Sequence, residues 1–571
     1  MKKLIVPILL LVLASAGLYL YLHKPEKDYS YESFIAQDAL IVVTQYDLEH
    51  RVEEFKGSPL GVAVAGLEYQ LIGRELGLSD DVINRFLEFT HDVAELFDNQ
   101  LFKTLFGTEA TCALYPFTRS GDRGVDEQIM ENLLVVARPK HGARLVDLAG
   151  WFDFANPTMS TSRYGRYEIT RYDLENGRRI SAVRRGELLL LSLNETTLRK
   201  SLDVSDGEIA GITEVDTYRE QIDRFSGAAL IVYTDFPALS KTLEDIAALA
   251  LDQPGTLNFD DSIMDAYRTG MFGAWREPGH IVDRALITFD PNLLDGHTAK
   301  RIMTPVSEPR SHMRVDQDTI FYHWTNQFDF GYLLDRIHAS GSASLANDSS
   351  LTGMLGVTGL TQVQLADLFT GNLTLALKGL EQNQLVPLPL FLVSAKTGDV
   401  DLLKSATDKL IEHYSVPVRR DAVGSGGELI SWGGVVGIGS LLPAFAFNED
   451  SLIISSSRRE IRNYISEEGD HLIDNKRFQT VSSDIMKPSN SISYIELDKL
   501  TAMIKEMAAW GGTMIAIKDR ELARKSKVLI DHLIDPLLDG LSMYQLIASR
   551  KYIENNAIHF ESQTILEHGK Q

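Results

Sequence analysis

Fourteen histidines, one cysteine and 79 acidic residues are the raw material for chemistry in this chain of 571 residues. Their spacing forms none of the familiar reactive constellations. There is no His-Glu-x-x-His pair for zinc, no Gly-x-x-x-x-Gly-Lys-Ser/Thr loop for phosphate, no Ser-x-x-Lys and no Gly-x-Ser-x-Gly elbow. Ser425, in Gly424-Ser425-Gly426-Gly427, comes nearest to such an elbow and lacks its flanks. Gly437-Ile438-Gly439 lacks the third glycine of a dinucleotide loop and reads as close strand packing. No two histidines stand at metal-ligand spacing on one helix face. His323, in a strand before Trp324, reads as a core or edge histidine rather than a ligand. Asp260, Asp261 and Asp265 have the charge to hold calcium but lack the glycine and closing glutamate of a calcium loop, so helix N-capping is the better reading. Cys112, within Thr111 to Tyr115, reads as a buried, inert thiol in a strand. A single cysteine excludes an intramolecular disulfide and cysteine-rich zinc sites. Trp151-Phe152-Asp153-Phe154 and Trp432 could stack on sugars, but half-buried aromatics under loops are commoner. Paired carboxylates for glycoside hydrolysis are defined by their separation in space, which a sequence does not give. The sequence therefore names no catalytic, cofactor-binding or metal-binding residue, and no cofactor.

The elements that would position any site begin with an apolar segment. Met1, Lys2 and Lys3 lead into Leu4 to Leu22, interrupted only by Pro7, Ser15 and Gly17. As a helix this run is roughly 28 Å long, close to the ~30 Å hydrocarbon thickness of a bilayer. A secretory signal would be cut after Ala14-Ser15-Ala16. The run continues instead through Leu18, Tyr19, Leu20, Tyr21 and Leu22, with its tyrosines suited to an interfacial belt, so an uncleaved signal anchor (residues 1–22) is favoured. Lys2 and Lys3 favour a cytoplasmic N-terminus. The expected location is the cytoplasmic (inner) membrane, crossed once through residues 4–22, with the bulk of the chain on the periplasmic or extracellular side.

The net charge of −23 repels phosphate backbones and argues against nucleic-acid partners. An apolar content of 44% gives ample material for a large core. After a polar stalk (23–37), the folded part opens with the strand Asp38 to Thr44 and a helix from about Asp47 to Phe55. Ser79 then caps a long helix whose apolar stripe, from Val82 to Leu105, is wide enough to predict packing on more than one side.

Strand-then-helix openings recur at Ala229, Thr319 and Ile492. Leu188 to Ser192 with Glu195 to Leu202 matches Ser451 to Ser455 with Arg459 to Ile465. These and other matches are collinear, which predicts two related α+β halves, 38–300 and 316–567, joined by a linker at 301–315. Ser340 to Ser350 reads as a flexible loop. Asn176-Gly177 between two alternating runs predicts a tight hairpin, so the sheets should be largely antiparallel with packed helices.

The opening Asp38 to Leu60, with its strand, Tyr46-Asp47-Leu48, helix and Ser58-Pro59-Leu60, resembles a loose group of exported bacterial envelope proteins of uncharacterised function. Leu188 to Ser192 followed by Asn194-Glu195 is similar to a second feature of that group. The resemblance implies an envelope location and no activity. The expected fold class is α+β, an N-terminal transmembrane helix followed by two similar halves. The expected role is a membrane-tethered, non-catalytic binding or scaffold module of the cell envelope, with an envelope protein as its partner. An envelope hydrolase acting on a cell-surface polymer and a lipid or lipoprotein carrier are the alternatives.

Overall fold

Apolar runs rich in β-branched residues become strands here, and nearly every one is bracketed by a helix or a tight turn. The computed structural model describes residues 29–117, 125–140, 158–173, 179–242, 265–339, 349–381, 387–424, 426–432, 443–466 and 469–567. The strands of the first part are β1 (Ile41–Tyr46), β2 (Glu109–Leu114), β3 (Leu133–Arg138), β4 (Thr158–Tyr164), β5 (Tyr167–Asp173), β6 (Arg179–Arg185), β7 (Leu188–Ser192) and β8 (Leu230–Asp235). A long hairpin follows, β9 (Tyr267–Glu277) and β10 (His280–Phe289). Then come β11 (Phe321–Asp329), β12 (Thr370–Leu380), β13 (Pro389–Lys396), β14 (Val418–Val423), β15 (Gly427–Trp432), β16 (Ala444–Asn448), β17 (Ser451–Ser455) and β18 (Ser491–Glu496). The last two are β19 (Tyr544–Glu554) and β20 (Ala557–Leu566). Helices flanking these strands include α1 (Pro59–Ala65), α2 (Tyr69–Glu75), α3 (Asp80–Asp98), α4 (Glu195–Asp206), α5 (Arg458–Ser466), α6 (Leu497–Lys518), α7 (Arg520–Leu529) and α8 (Asp535–Leu541).

The chain divides into two compact units, one within Met1–Val52 and Asp92–Asn258, the other within Glu53–His91 and Phe259–Gln571. In the first, every described pairing is antiparallel and the order is β8-β1-β2-β3-β7-β6-β5-β4. In the second, the order β18-β11-β12-β13-β17-β16-β15-β14 runs likewise antiparallel and reproduces the first with each strand ten places later. The second unit also extends beyond β18 through β19, β20, β10 and β9.

Single hydrogen bonds fix the correspondence. Ile212 N–H donates to the Ile35 carbonyl at 2.8 Å, and Leu472 N–H to the Val315 carbonyl at 2.9 Å. Leu40 N–H reaches the Leu114 carbonyl, and Ile320 N–H the Leu377 carbonyl, both at 2.8 Å. The Ser192 hydroxyl donates to the Leu133 carbonyl at 2.9 Å, and the Ser455 hydroxyl to the Phe391 carbonyl at 2.6 Å.

Alternation of buried residues marks several strands, as at Val42 and Thr44 of β1 and throughout β18, while β7 is buried along its whole length. The second core gathers Tyr322, Trp324, Phe478, Ile492 and Tyr494. The first has a cluster of Leu105, Phe106, Tyr172, Leu189 and Leu191.

Three expectations need correction. Among the described residues no helix is long and apolar enough to cross a membrane. The longest, α6, has the length at about 1.5 Å per residue but carries Asp498, Lys499, Lys505, Glu506 and Lys518. The fold the structure supports is thus α+β with a large antiparallel sheet content and, among the described residues, no helix apolar enough to cross a membrane. The single-pass inner-membrane placement and the signal anchor are not carried forward. Residues 4–22, on which they were read, lie outside the described residues.

The long helix after Ser79 is two helices, α3 and Gln100–Phe106. The Asn99 side chain accepts from Phe102 N–H at 3.1 Å and starts the second one. Its wide apolar stripe is not packed all round: Ile83 is buried, while Phe86 and Phe89 are exposed.

Residues 301–315 do not form a free linker. They carry a helix end, a bridge from Ser307 to Ser489 and a 3-10 turn at Ser311–Met313, all within the second unit. Asp260, Asp261, Trp151 to Phe154, Ser425, Gly437 to Gly439 and most of the expected loop at 340–350 lie outside the described residues.

Candidate functional site

Lys378 stands at the end of β12, one residue past the Leu377 carbonyl that closes the β11 ladder. Its ammonium lies 2.6 Å from Asp316 Oδ2 and 3.7 Å from Glu460 Oε1. Asp316 is held in the turn before β11, where its carbonyl accepts from Thr319 N–H and its carboxylate from Asp318 N–H. Glu460 sits in the first turn of α5, which packs on β16 and β17. Together with Arg314, Phe391 and Tyr464 these groups line a shallow pocket open to solvent, with enclosed room for about one water.

The electrostatics are those of a partly desolvated cluster. Burial pushes the Glu460 carboxyl above the usual carboxylate range; Lys378 opposes the shift and Asp316 adds to it. Burial works against the charge of Lys378, yet its bond to Asp316 and the charge of Glu460 outweigh that and hold its ammonium above the usual range. Among the described residues, no hydrogen bond reaches the Glu460 carboxylate, and none reaches the side-chain amide of Asn463 at the same pocket. Two cations and two carboxylates, paired with one another and partly open to water, make a polar, solvent-facing cluster.

Counting from the matched hydrogen bonds, Arg314, Asp316, Lys378 and Glu460 correspond to Phe34, Ala36, Tyr115 and Thr197 of the first array. There all four are buried, and the Tyr115 hydroxyl accepts from Ala36 N–H at 3.2 Å. The space that is charged and open in one array is filled by aromatic rings in the other.

A second cluster lies on the β11–β18–β19 face. His323 Nδ1 and the Ser493 hydroxyl share a 2.8 Å hydrogen bond. Burial, then the charge of Lys551, holds His323 below the usual histidine range, and burial lowers Lys551 itself to about 8. A serine beside a neutral histidine has the makings of a nucleophile. However, β18 is flanked by β11 and β19, so the backbone N–H groups around Ser493 are committed to ladders, and none is free to stabilise an oxyanion. The pair reads as a satisfied cross-strand contact, in keeping with the sequence's placement of His323. The corresponding residues of the first array, Val43 and Val232, face each other as a plain apolar pair.

A third feature belongs to the helices of the second unit. α1 packs on α8 so closely that a Cβ on Gly540 would lie 2.8 Å from Leu60 Cα. α2 is tied to α7 by Arg524 and Glu75, whose paired bonds measure 2.6 and 3.1 Å. α3 rests on α2 through Ile83 against Gly73 and through Tyr69 with Phe86. This layer exposes Val62, Phe86 and Phe89 on α1 and α3 and Leu76 just past the end of α2, with Met514, Ile517 and Leu522 on α6 and α7. Ile517, at 77% exposure, projects almost wholly into solvent. Of the basic residues that follow in α7, Arg524, Lys525 and Lys527 are paired with Glu75, Glu521 and Asp531.

The residues singled out in the sequence do not converge. Cys112 sits in β2 with its thiol raised by burial. Trp432 stacks edge-on against Phe445 at 5.8 Å, at the end of β15. Among the described residues no group of three or more His, Cys, Asp or Glu could hold a metal ion. Sequence reasoning passed over the Lys378 pocket, although aligning β7 and β17 already placed Glu460 opposite Thr197.

No protein-family model and no curated protein sequence matches the chain. Crystal forms III, IV and I of TP0453 are similar to it at TM-scores of 0.25, 0.24 and 0.23, with 7%, 7% and 8% identity. These likenesses cover 46% of this chain and 80–81% of those chains, and at that level they carry no argument about function.

Proposed function

We propose that the protein is a non-catalytic binding module of the cell envelope and that it engages an envelope protein through the apolar helical layer of its second unit. The observation that carries this reading is the concentration of exposed large side chains on α1 to α3, α6 and α7. Large apolar side chains exposed on one set of packed helices are what protein interaction sites draw on. The hydrolase reading has the Ser493–His323 pair in its favour and, against it, the backbone N–H groups around Ser493 that the β11 and β19 ladders occupy.

The test places a photo-cross-linking amino acid at Phe89 or Ile517, and at Phe391 as a control, in the full chain in its native cells. One discrete protein adduct from the two helical positions and none from Phe391 is expected. Phe89→Ser and Ile517→Ser should each weaken that association about tenfold, since each removes much of a large apolar contact. Adducts to lipid alone would point to the carrier reading and overturn this one, as would equal labelling at Phe391.

A further inference from the structure

We propose that β14, at the edge of the second unit's sheet, takes an acidic extended peptide of a partner protein as an added strand, held by Arg419 and Arg462. An open edge and a surplus of charge meet there, and neither belongs to the helical layer. β14 pairs with β15 on one side, and among the described residues no strand pairs with its other side. Every second residue of an antiparallel edge strand turns its N–H and C=O outward, so β14 presents a ladder for a further strand. Arg419 and Asp421 stand two residues apart and share one face, the face on which α5 lies. There Arg419 Nε donates to Asp421 Oδ1 at 3.2 Å and Arg462 to Oδ2 at 3.4 Å, while Arg458 bonds the same Oδ2. Three guanidiniums against one carboxylate leave a surplus of two positive charges.

The surplus is not relieved by other groups. Arg458 is largely buried, and its Nε has no hydrogen-bond partner among the described residues. Burial, then the charges of Arg419 and Arg462, holds its guanidinium below the usual arginine range. Arg419 and Arg462 are 66% and 51% exposed. Among the described residues each bonds only Asp421, so most of the five N–H donors on each face water. On the opposite face of β14 the charge is balanced, because Arg420 is bonded to Asp408 and Glu428. Charged side chains commonly guard an edge strand against pairing. Guards of one sign repel a second copy of the same edge and favour a strand that brings carboxylates. Alternate residues of an added strand lie about 7 Å apart on one face. Arg419 and Arg462 meet at a single carboxylate, so side chains at that spacing reach both. The net charge of −23 opposes this only weakly, since exposed charges more than about 8 Å away are screened at physiological salt.

Fluorescence anisotropy on the full chain, with a labelled peptide of alternating Glu and Thr as the probe, tests the assignment. Binding is expected, about tenfold or more tighter than that of the same peptide with Lys in place of Glu, and weakening as salt is added. The double variant Arg419→Gln, Arg462→Gln changes two exposed side chains and should weaken binding about tenfold or more. Arg420→Gln, on the balanced face, should leave it within about twofold. The Glu–Thr peptide N-methylated throughout keeps its charge, loses its ladder donors and should bind about tenfold more weakly. Thermal melts of each variant establish that it is folded. No binding of the Glu–Thr peptide by the wild type, or equal binding by the double variant, would overturn the proposal. Equal binding of the N-methylated peptide, or full displacement by millimolar phosphate, would overturn strand addition and leave a bare anion site.

Discussion

In the first array Phe34, Ala36, Tyr115 and Thr197 close the space beside β2 and β7; in the second, Arg314, Asp316, Lys378 and Glu460 leave the matching space open and charged. The strand order and the framing hydrogen bonds are the same on both sides. The difference teaches that this backbone accepts charge at the position of a buried tyrosine only when charge arrives as a set. Lys378 is accommodated because Asp316 lies at 2.6 Å and Glu460 at 3.7 Å. A neighbouring position also changes sign: Glu195 at the start of α4 is bonded by Arg171 of β5, whereas Arg458 at the start of α5 is bonded by Asp421 of β14, a strand whose counterpart is β4. Glu195 suits the positive end of the helix dipole and Arg458 does not, so the second array depends on Asp421 for what the first has from the helix itself.

The sharpest way to break this comparison is to import one member of the set alone. Tyr115→Lys would bury an ammonium among Phe34, Ala36 and Thr197, where the nearby Asp38 carboxylate is already held by Lys200, whose own ammonium lies over the Tyr115 ring, and should cost the first unit about 3–5 kcal/mol. Urea unfolding followed by a probe in the first unit measures it, and a loss below about 1 kcal/mol would show that the site reaches water after all. The reverse experiment is gentler. Converting Arg314, Asp316, Lys378 and Glu460 together to Phe, Ala, Tyr and Thr should leave the second unit as stable as before or about 1–2 kcal/mol more so, because packed apolar groups commonly match or exceed a buried ion cluster. Marked destabilisation of the fourfold variant would mean that the two backbones differ where their hydrogen bonds look alike.

Titration separates the arrays at smaller amplitude and with opposite sign. The Glu460 carboxyl, raised chiefly by burial, binds its proton more tightly folded than unfolded. Its contribution is therefore greatest in acid and falls as pH rises from the ordinary value of 4.5 through the folded value, then levels off. Glu195 is held low, first by its bonds from Arg171 and further by Arg199, with burial opposing. Its contribution is present above 4.5 and is lost as pH falls through the folded value. Denaturation midpoints across acid to neutral pH should show Glu460→Gln gaining on the wild type as pH rises. Glu195→Gln should fall behind at neutral pH and converge in acid. Parallel curves for the two variants would remove the electrostatic distinction between the arrays.

How much of this was legible in the sequence follows from what each feature depends on. The strands were legible because burial on one face imposes alternation, as at Ile41 to Tyr46 and Ser491 to Glu496. The collinear matches aligned β7 with β17 because both end in a serine whose hydroxyl caps the neighbouring strand. The pocket was not legible. Lys378 and Glu460 are ordinary surface residue types, and only the register that sets Leu377 opposite Phe321 shows that Lys378 replaces a buried tyrosine. The wide stripe of α3 misled for a related reason. Periodicity counts apolar side chains but not what lies opposite them, and only Ile83 found a groove, over Gly73.

That groove sets up the smallest effect, and the one that separates folding from binding in the helical layer. Phe89 and Ile517 are respectively 63% and 77% exposed, so neither has much buried area to lose. Phe89→Ser and Ile517→Ser should each move the unfolding free energy by no more than about 0.5 kcal/mol, as surface changes do. An apolar side chain left in water gains nothing for the free protein, and its replacement by serine should reduce the binding of a hydrophobic fluorescent dye while the melting curve stays in place. A loss of stability comparable with that of a core residue would mean that these side chains pack within the fold. The helical layer would then belong with the filled space of the first array, as structure, and not with the open pocket of the second.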